Sequence, residues 1–496
     1  MPLQEAGRAM LLNNDRLLFF DHHHIESARD VTLTLNAPAK RGACLRIEKE
    51  WELGGVRGDC VVPVDGTYRF YYKVSLDEGR TAFAIATSSD GVTWDRPELG
   101  VVSFRGSTAN NLVDVDGQKP GEVCVFLDPT APEEHRFKAV GHNAAEGGMY
   151  LLTSPDGFRF KRAPGLLLNF ICDNHNTSFY DERLGKYVTY LRGWDRSRHI
   201  PPMDGSRVIS RAESDDLFRP FPIDEQAPDP WPPARKWEET EVAGLRKINR
   251  ELPMAMRCDE QDPPEADLYQ AAAVHYLREA YVAFPTLYYH HPWAPEGFVN
   301  DGILDLQFAS SRDGINWRRD LRDPYVRLDL PDGTTTKLMH MLVGMVPHSH
   351  HLSQYYVGGN RSHGQGRVTG DTKVPHKPPS IGDPIAYRLE QRLDGFVSVD
   401  SAYTGGELLT KPFLLTSNEL ALNIDTSASG EARVALFGED GSAIPGYGLE
   451  ECDRIQGNDT RLVASWRKTS DLSGLTGKRV KALVKCRSTK LFAVYP

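Results

Sequence analysis

The stretch "SSRDGINW" (310–317) reads as the end of an apolar strand, a turn and an aromatic that folds back, and the chain spells it more than once. Near copies stand at "TSSDGVTW" (87–94) and "TSPDGFRF" (153–160), with a weaker one inside "AESDDLFRPF" (212–221). Each follows a short β-prone run: "TAFAIA", "GGMYLL", "RVISRA" and "LDLQFA". The Asp-Gly dipeptide supplies the positive φ of a hairpin turn without steric cost, and the Trp or Phe three residues after the glycine caps the turn's apolar side.

Ahead of each run lies another β-rich stretch: "DGTYRFYYKV" (65–74), "HRFKAVGH" (135–142), "GKYVTYLRG" (185–193) and "EAYVAFPTLYY" (279–289). The spacing predicts a recurring four-stranded antiparallel meander. Asp90 to Asp156 is a step of 66 residues, Asp156 to Asp216 one of 60, and Asp216 to Asp313 one of 97. The long interval holds the Pro-rich insertion "DEQAPDPWPPARKWEETEV" (224–242), expected to be a loop near a functional site. Meanders at this period suggest the blades of a β-propeller, which leaves only short, protected edges. Adding the terminal segments "RGACLRIEKEWE" (41–52) and "HLSQYYVGGN" (351–360) brings the expectation to an all-β, five-bladed β-propeller over residues 1–388. After that the texture changes to short alternating strands, such as Val480, Ala482, Val484 and Cys486 against Arg479, Lys481 and Lys485. This predicts a C-terminal β-sandwich over residues 389–496, with "GEDGSA" (438–443) as a hairpin.

The chain has 496 residues, 40% hydrophobic and 25% charged, with a formal net charge of -10. That balance argues against a nucleic-acid surface or docking on anionic lipid, either of which asks for a basic face. The start lacks the order of a signal peptide and no window approaches a membrane span, so a cytoplasmic protein is expected. Seven scattered cysteines without a Cys-x-x-Cys pair read as reduced thiols. The histidine groups His22–His24, His290–His291 and His348, His350 and His351 lack the spacing of a zinc site, so neither metal nor other cofactor is expected.

In a propeller the innermost strand of each blade starts at the rim of the central channel, so polar residues just ahead of a strand converge on one pocket. Asp59, in "GGVRGDCVV" (54–62), is an acid set against an apolar strand, which is costly unless it is paired or functional. The cluster Asp173, Asn174, His175 and Asn176 precedes "TSFY" (177–180), and Arg192 at the end of the next strand is placed to orient a carboxylate. Glu265 and Asp267 precede "LYQAAAV" (268–274), and either of them faces the channel. Asp301, in "FVNDGILDL" (298–306), is a fourth acid at a strand mouth, and it also reads as a turn residue. Asn111, in "TANNLVDV" (108–115), adds a polar group in the second blade. Acids converging from separate blades fit glycoside chemistry, in which one carboxyl protonates the leaving oxygen and another acts as base or nucleophile.

The runs "LLFFDHHHIES", "KEWELGG", "LDPTAPEEHRFKAVG", "DNHNTSFYDERLGKYVTYLR" and "LDGFVSVDSAYTGGELLTKPF" resemble proteins described as glycoside hydrolase family 32-like, within the five-bladed propeller glycosidases that include families 43, 62 and 68. The resemblance implies a funnel-shaped pocket on the propeller axis. It implies Asp59 as the first-blade nucleophile or base, Asp173 as a supporting acid, and Asp267 or Glu265 as the proton donor. The chain lacks the Trp-Met-Asn-Asp-Pro-Asn-Gly and Glu-Cys motifs of invertases, so fructoside specificity is not implied. The expected function is a glycosidase acting on a small glycoside or oligosaccharide, bound by Asn111, Asn174, His175, Arg192 and Asp301, in a protein that also self-associates. A non-catalytic carbohydrate-binding propeller and a glycoside phosphorylase or transferase are the alternatives.

Overall fold

The computed structural model describes residues 16–53, 56–76, 81–116, 122–142, 148–173, 175–195, 198, 200, 205–223, 246–247, 252–277, 279–291, 301–331, 333, 335–360, 362–363 and 384–496. The insertion at 224–242 lies outside these residues. Among them the architecture is all-β, with helix limited to single 3₁₀ turns such as Glu50–Glu52 and Glu133–His135.

The first meander is Val56–Val64, Thr67–Ser75, Thr81–Ser88 and Leu112–Val115, antiparallel in that order. The second is Glu122–Leu127, Phe137–His142, Met149–Ser154 and Arg159–Arg162. Its last strand pairs parallel with Leu112–Val115, joining the two into one eight-stranded sheet. The third runs Thr177–Asp181, Lys186–Asp195, Ser206–Ser214 and Met254–Met256. The fourth runs Ala266–Leu277, Ala280–His290, Ala309–Ser311 and Trp317–Arg318. The last sheet is Leu338–Met341, His351–Gly359 and Pro384–Arg392, completed by Ala39–Arg46 from near the start of the chain.

Alternation along each strand gives every sheet two apolar faces, and each face meets a neighbour. Phe70, Tyr72 and Val74 pack with Tyr355 and Val346 of the last sheet, while Tyr71 turns the other way onto Val123, Val125 and Phe137 of the second. Further clusters join the second sheet to the third, the third to the fourth, and the fourth to the last. The first strands of the sheets also touch in sequence. Val125 N–H lies 3.3 Å from Cys60 Sγ, Ser178 N–H 3.4 Å from Cys124 Sγ, and Thr177 Oγ1 donates to Ala271 O at 2.8 Å. Gln270 Nε2 lies 3.4 Å from Met341 O, and Val61 N–H donates to Val343 O at 2.8 Å, which returns the circuit to the first sheet.

The repeated turn has a role in these contacts. In each full copy the serine hydroxyl accepts the glycine N–H and the aspartate Oδ1 accepts two further N–H groups, as with Ser311 and Asp313 receiving Gly314 (2.9 Å), Ile315 (2.8 Å) and Asn316 (2.7 Å). The glycine carbonyl then accepts a tyrosine hydroxyl from the adjacent sheet: Tyr355 to Gly91 (2.5 Å), Tyr71 to Gly157 (3.1 Å) and Tyr190 to Gly314 (2.5 Å). The aromatic three residues on packs against that same tyrosine, Trp94 on Tyr355, Phe160 on Tyr71 and Trp317 on Tyr190. Glycine is required twice over. At Gly157 φ is +76° and a Cβ would lie 2.6 Å from the Tyr71 hydroxyl.

The strands of residues 17–35 and those after Phe396 form two further sheets over one core. Val31–Leu35, Val397–Ser401, Thr489–Tyr495, Ala421–Asp425 and Asn458–Val463 make one, with Leu17–Leu18 on Thr489–Tyr495. Ile25–Arg29, Gly406–Thr410, Arg479–Arg487, Phe413–Leu414 and Glu431–Gly438 make the other. Leu422, Val434, Trp466, Val480, Val484 and Val494 fill the space between them. The expected boundary at 388/389 falls inside the strand Pro384–Arg392, and strands within residues 17–35 pair with the C-terminal strands. The two parts are tied by buried Asp394, whose carboxylate accepts Arg16 (2.9 Å), Tyr276 (2.7 Å) and Tyr495 (2.8 Å).

Candidate functional site

Most of the candidate residues lie near the beginnings of strands: Asp59 within Val56–Val64, Asp173 ahead of Thr177–Asp181, Glu265 just ahead of Ala266–Leu277 and Asp267 within it. Asp59 is the extra residue of a β-bulge in Val56–Val64: Gly58 pairs with Tyr72 and Cys60 with Tyr71, leaving Asp59 out of register. A bulge breaks the alternation of a strand and re-aims one side chain, a device common beside active sites. Asp59 is buried, and its carbonyl accepts Val343 N–H from the last sheet at 3.2 Å.

The third and fourth sheets contribute a denser group. Arg192, on Lys186–Asp195, has a side chain 1% exposed. Its Nη1 donates to Asp173 Oδ2 at 3.0 Å and its Nε to Tyr269 O at 3.0 Å, with Nη2 on the same carbonyl. Asn176 Oδ1 accepts its main-chain N–H at 3.1 Å. Arg207 stands directly across from Trp194 in the ladder and crosses to the fourth sheet, where Asp267 Oδ2 accepts its Nη1 at 2.9 Å and its backbone N–H at 3.0 Å. His290 Nε2 lies 3.2 Å from the same oxygen. Both guanidinium groups lie over Tyr269, Arg192 at 4.7 Å and Arg207 at 5.3 Å from the ring centre.

Tyr269 is a second bulge residue, skipped between the Leu268–Leu287 and Gln270–Thr286 pairs. Its hydroxyl is 2.8 Å from His363 Nε2, and the His340 ring from the last sheet packs on it at 5.2 Å. His363 Nδ1 is 3.4 Å from the Tyr288 hydroxyl, and Tyr288 stacks on His290 at 4.2 Å.

Electrostatics separate the acids. Burial pushes the Asp267 carboxyl up, but the Arg207 charge, His290 and the Arg207 N–H outweigh it and hold the pKa down to about 2. A group held that low stays ionised, whereas a general acid needs its proton. Asp267, one of the two expected candidates for the proton donor with Glu265, is fully buried and anchors Arg207. Asp173 is the accessible acid, its side chain 55% exposed and its backbone in the left-handed region at φ 33°. Burial, with Arg207 nearby, lowers the Arg192 pKa, and Asp173 works against that shift.

Other expected residues are placed as follows. Glu265 precedes its strand, half-buried, and its carbonyl accepts His290 N–H at 3.0 Å. Asp301 accepts Gly302 N–H at 2.8 Å and the Ser362 hydroxyl at 3.0 Å, which fixes the segment carrying His363. His175 is buried at the start of the third sheet. Asn174 lies outside the described residues. The Asn111 amide donates to the Tyr72 hydroxyl (2.6 Å) and Ile85 O (2.7 Å) of the first sheet and accepts Trp51 Nε1 (2.8 Å) from the 3₁₀ turn Glu50–Glu52. Arg207, Tyr269, Tyr288, His340 and His363 were not singled out from the sequence. The usable signal was the i, i+2 spacing at strand ends, which puts Arg192 with Trp194 and Tyr288 with His290.

No protein-family model matches the chain, and a comparison with curated proteins finds no match. Among solved structures, an N-acetylgalactosamine deacetylase from F. plautii in complex with blood group B trisaccharide is similar to it at 13% identity and TM-score 0.44, over 72% of this chain and 95% of the other. An alpha-L-arabinofuranosidase from Podospora anserina in complex with cellotriose is similar at 10% identity and TM-score 0.39, over 72% and 97%. The catalytic domain of an alpha-L-arabinofuranosidase from Coprinopsis cinerea is similar at 11% identity and TM-score 0.38, over 74% and 99%. Neither arabinofuranosidase is named as a family 32 protein, and likeness at this level leaves each activity with the protein that carries it.

Proposed function

We propose that the protein is a glycoside hydrolase built on a five-bladed β-propeller, with a β-sandwich formed by residues 17–35 and the strands after Phe396. Its substrate is a small glycoside or an oligosaccharide end, held where the first strands begin. The observation that supports this reading is that Asp173 and Asp267, at the starts of the third and fourth sheets, are held by Arg192 and Arg207, both over Tyr269, while Asp59 sits at a bulge in the first strand of the first sheet. Asp59, re-aimed by its bulge, is the base or nucleophile. Asp173 and Arg192 orient the sugar, and Asp267 keeps Arg207 in place.

A second reading is a carbohydrate-binding protein without turnover, favoured by the commitment of both Asp173 and Asp267 to arginines. A panel of 4-nitrophenyl glycosides with wild type and Asp59→Asn separates the two. Release of nitrophenol by wild type and its loss in Asp59→Asn supports the hydrolase. Sugar binding by both proteins with release by neither supports the binding protein.

A further inference from the structure

The buried Asp267 carboxylate is committed to the Arg207 guanidinium at 2.9 Å and its main-chain N–H at 3.0 Å, so a hydrolase at this site takes its proton from another group. Resting on the hydrolase reading, we propose that Tyr269 is the proton donor and that His363 is the positioning residue that relays its proton. Tyr269 shares one feature with Asp59: each is the residue that the strand register skips at a bulge in the first strand of its sheet. Unlike Asp267, Arg192 and Arg207, which are buried, Tyr269 is partly exposed at the strand mouth.

The surroundings suit proton transfer. Two guanidinium groups sit at 4.7 and 5.3 Å from the ring centre, where they oppose the negative charge that a phenolate spreads over its ring. The hydroxyl is 2.8 Å from His363 Nε2, inside the reach required of an acid–base pair. His363 is itself held, its N–H on Gly302 O at 3.0 Å and its Nδ1 near the Tyr288 hydroxyl. Burial raises the Tyr288 pKa, which leaves Tyr288 as a protonated support rather than a donor. Among the described residues, the charged and titratable groups packed on Tyr269 include Arg192 and Arg207 from the third sheet, Tyr288 from its own, and His340 and His363 from beyond it, with Asp267 and His290 paired to Arg207 behind them.

In the step itself the bond between anomeric carbon and leaving oxygen breaks with its electron pair on the oxygen. That oxygen takes the Tyr269 proton, and water supplies the hydroxyl to the sugar, giving its proton to Asp59. Protonated His363 then restores the phenol.

The test compares wild type, Tyr269→Phe, His363→Gln and Glu265→Gln on two glycosides of one sugar, one leaving as 4-nitrophenol and one as methanol. Methanol departs only when protonated, whereas nitrophenol leaves without help. Tyr269→Phe should lose about 100-fold or more in kcat on the methyl glycoside and under about 10-fold on the nitrophenyl one. His363→Gln should show the same preference more weakly, with a displaced pH limb in kcat. Thermal melts check that the Phe ring still packs between the arginines. Equal losses on both glycosides, or a leaving-group-selective loss in Glu265→Gln instead, would overturn the assignment while sparing the hydrolase reading. If wild type cleaves neither glycoside of any sugar tried, the hydrolase reading itself fails and the proton donor falls with it.

Discussion

Replacing Arg207 with Met removes one member of a buried ion pair whose side chains are 3% and 0% exposed. What remains is a carboxylate that keeps the main-chain N–H of residue 207 at 3.0 Å and His290 at 3.2 Å. Breaking such a pair from one side costs about 3–5 kcal/mol, a large share of a typical stability of about 5–15 kcal/mol. The pH dependence gives the loss a signature. In wild type the Asp267 pKa is held down from 3.8 to about 2, so its contribution of roughly 2–3 kcal/mol is present above pH 3.8 and lost as pH falls towards 2. Without Arg207 burial dominates and raises the pKa, so the variant should lose stability as pH rises from 4 to 7. Urea unfolding followed by tryptophan fluorescence at pH 4, 5.5 and 7 reads this directly. The double variant Arg207→Met/Asp267→Asn should recover most of the loss at pH 7. An Arg207→Met deficit that is equal at pH 4 and pH 7, or a double variant as unstable as the single one, would refute the ion-pair argument.

Tyr71→Phe, Tyr190→Phe and Tyr355→Phe each remove one hydroxyl bond between neighbouring sheets and should cost about 1 kcal/mol in thermal or urea unfolding. Gly157→Ala should cost more than any of these, because its Cβ meets both an unfavourable φ and the Tyr71 hydroxyl. Burial raises the Asp305 pKa to about 7, so ionising it destabilises the folded chain as pH rises from 3.8 and fully above 7; Asp305→Asn should therefore gain a few kcal/mol relative to wild type at pH 8 and nothing at pH 3. Asp394→Ala strips the partners from Arg16, Tyr276 and Tyr495 and should lower the unfolding free energy by about 3–5 kcal/mol, with faster proteolysis between the two parts of the chain. Asp173→Asn, at an exposed acid, should change stability by under about 1 kcal/mol while weakening sugar binding measured by calorimetry.

The repeat was legible because a turn must satisfy its own backbone, and the Ser-x-Asp-Gly pattern that does so cannot be hidden by tertiary context. Its second purpose, as a docking point for a tyrosine of the next sheet, was not legible, since Tyr71, Tyr190 and Tyr355 lie in strands where any aromatic reads as core. The partners of the strands at 17–35 were not legible for a related reason. Alternation marks a strand but not its partner, and Ile25–Arg29 finds Gly406–Thr410 almost four hundred residues away. Asp59, Asp173 and Asp267 could be found as acids ahead of apolar strands. Which of them is exposed and which is locked depends on Arg192 and Arg207 arriving from other strands, and charge pairing across sheets leaves no local mark. Tyr269 was missed because a bulge has no signature in a single strand: Asp267 and Tyr269 look like ordinary same-face neighbours until the register is known.

A crystal structure of Asp59→Asn with a bound methyl glycoside puts these assignments to one trial. The sugar should lie at the start of the first strands, its anomeric carbon between residue 59 and the Tyr269 hydroxyl and its hydroxyls near Asp173 and Arg192. A glycoside seated instead on the outer strands or on the C-terminal sheets, with the ends of the first strands empty, would contradict a catalytic site there.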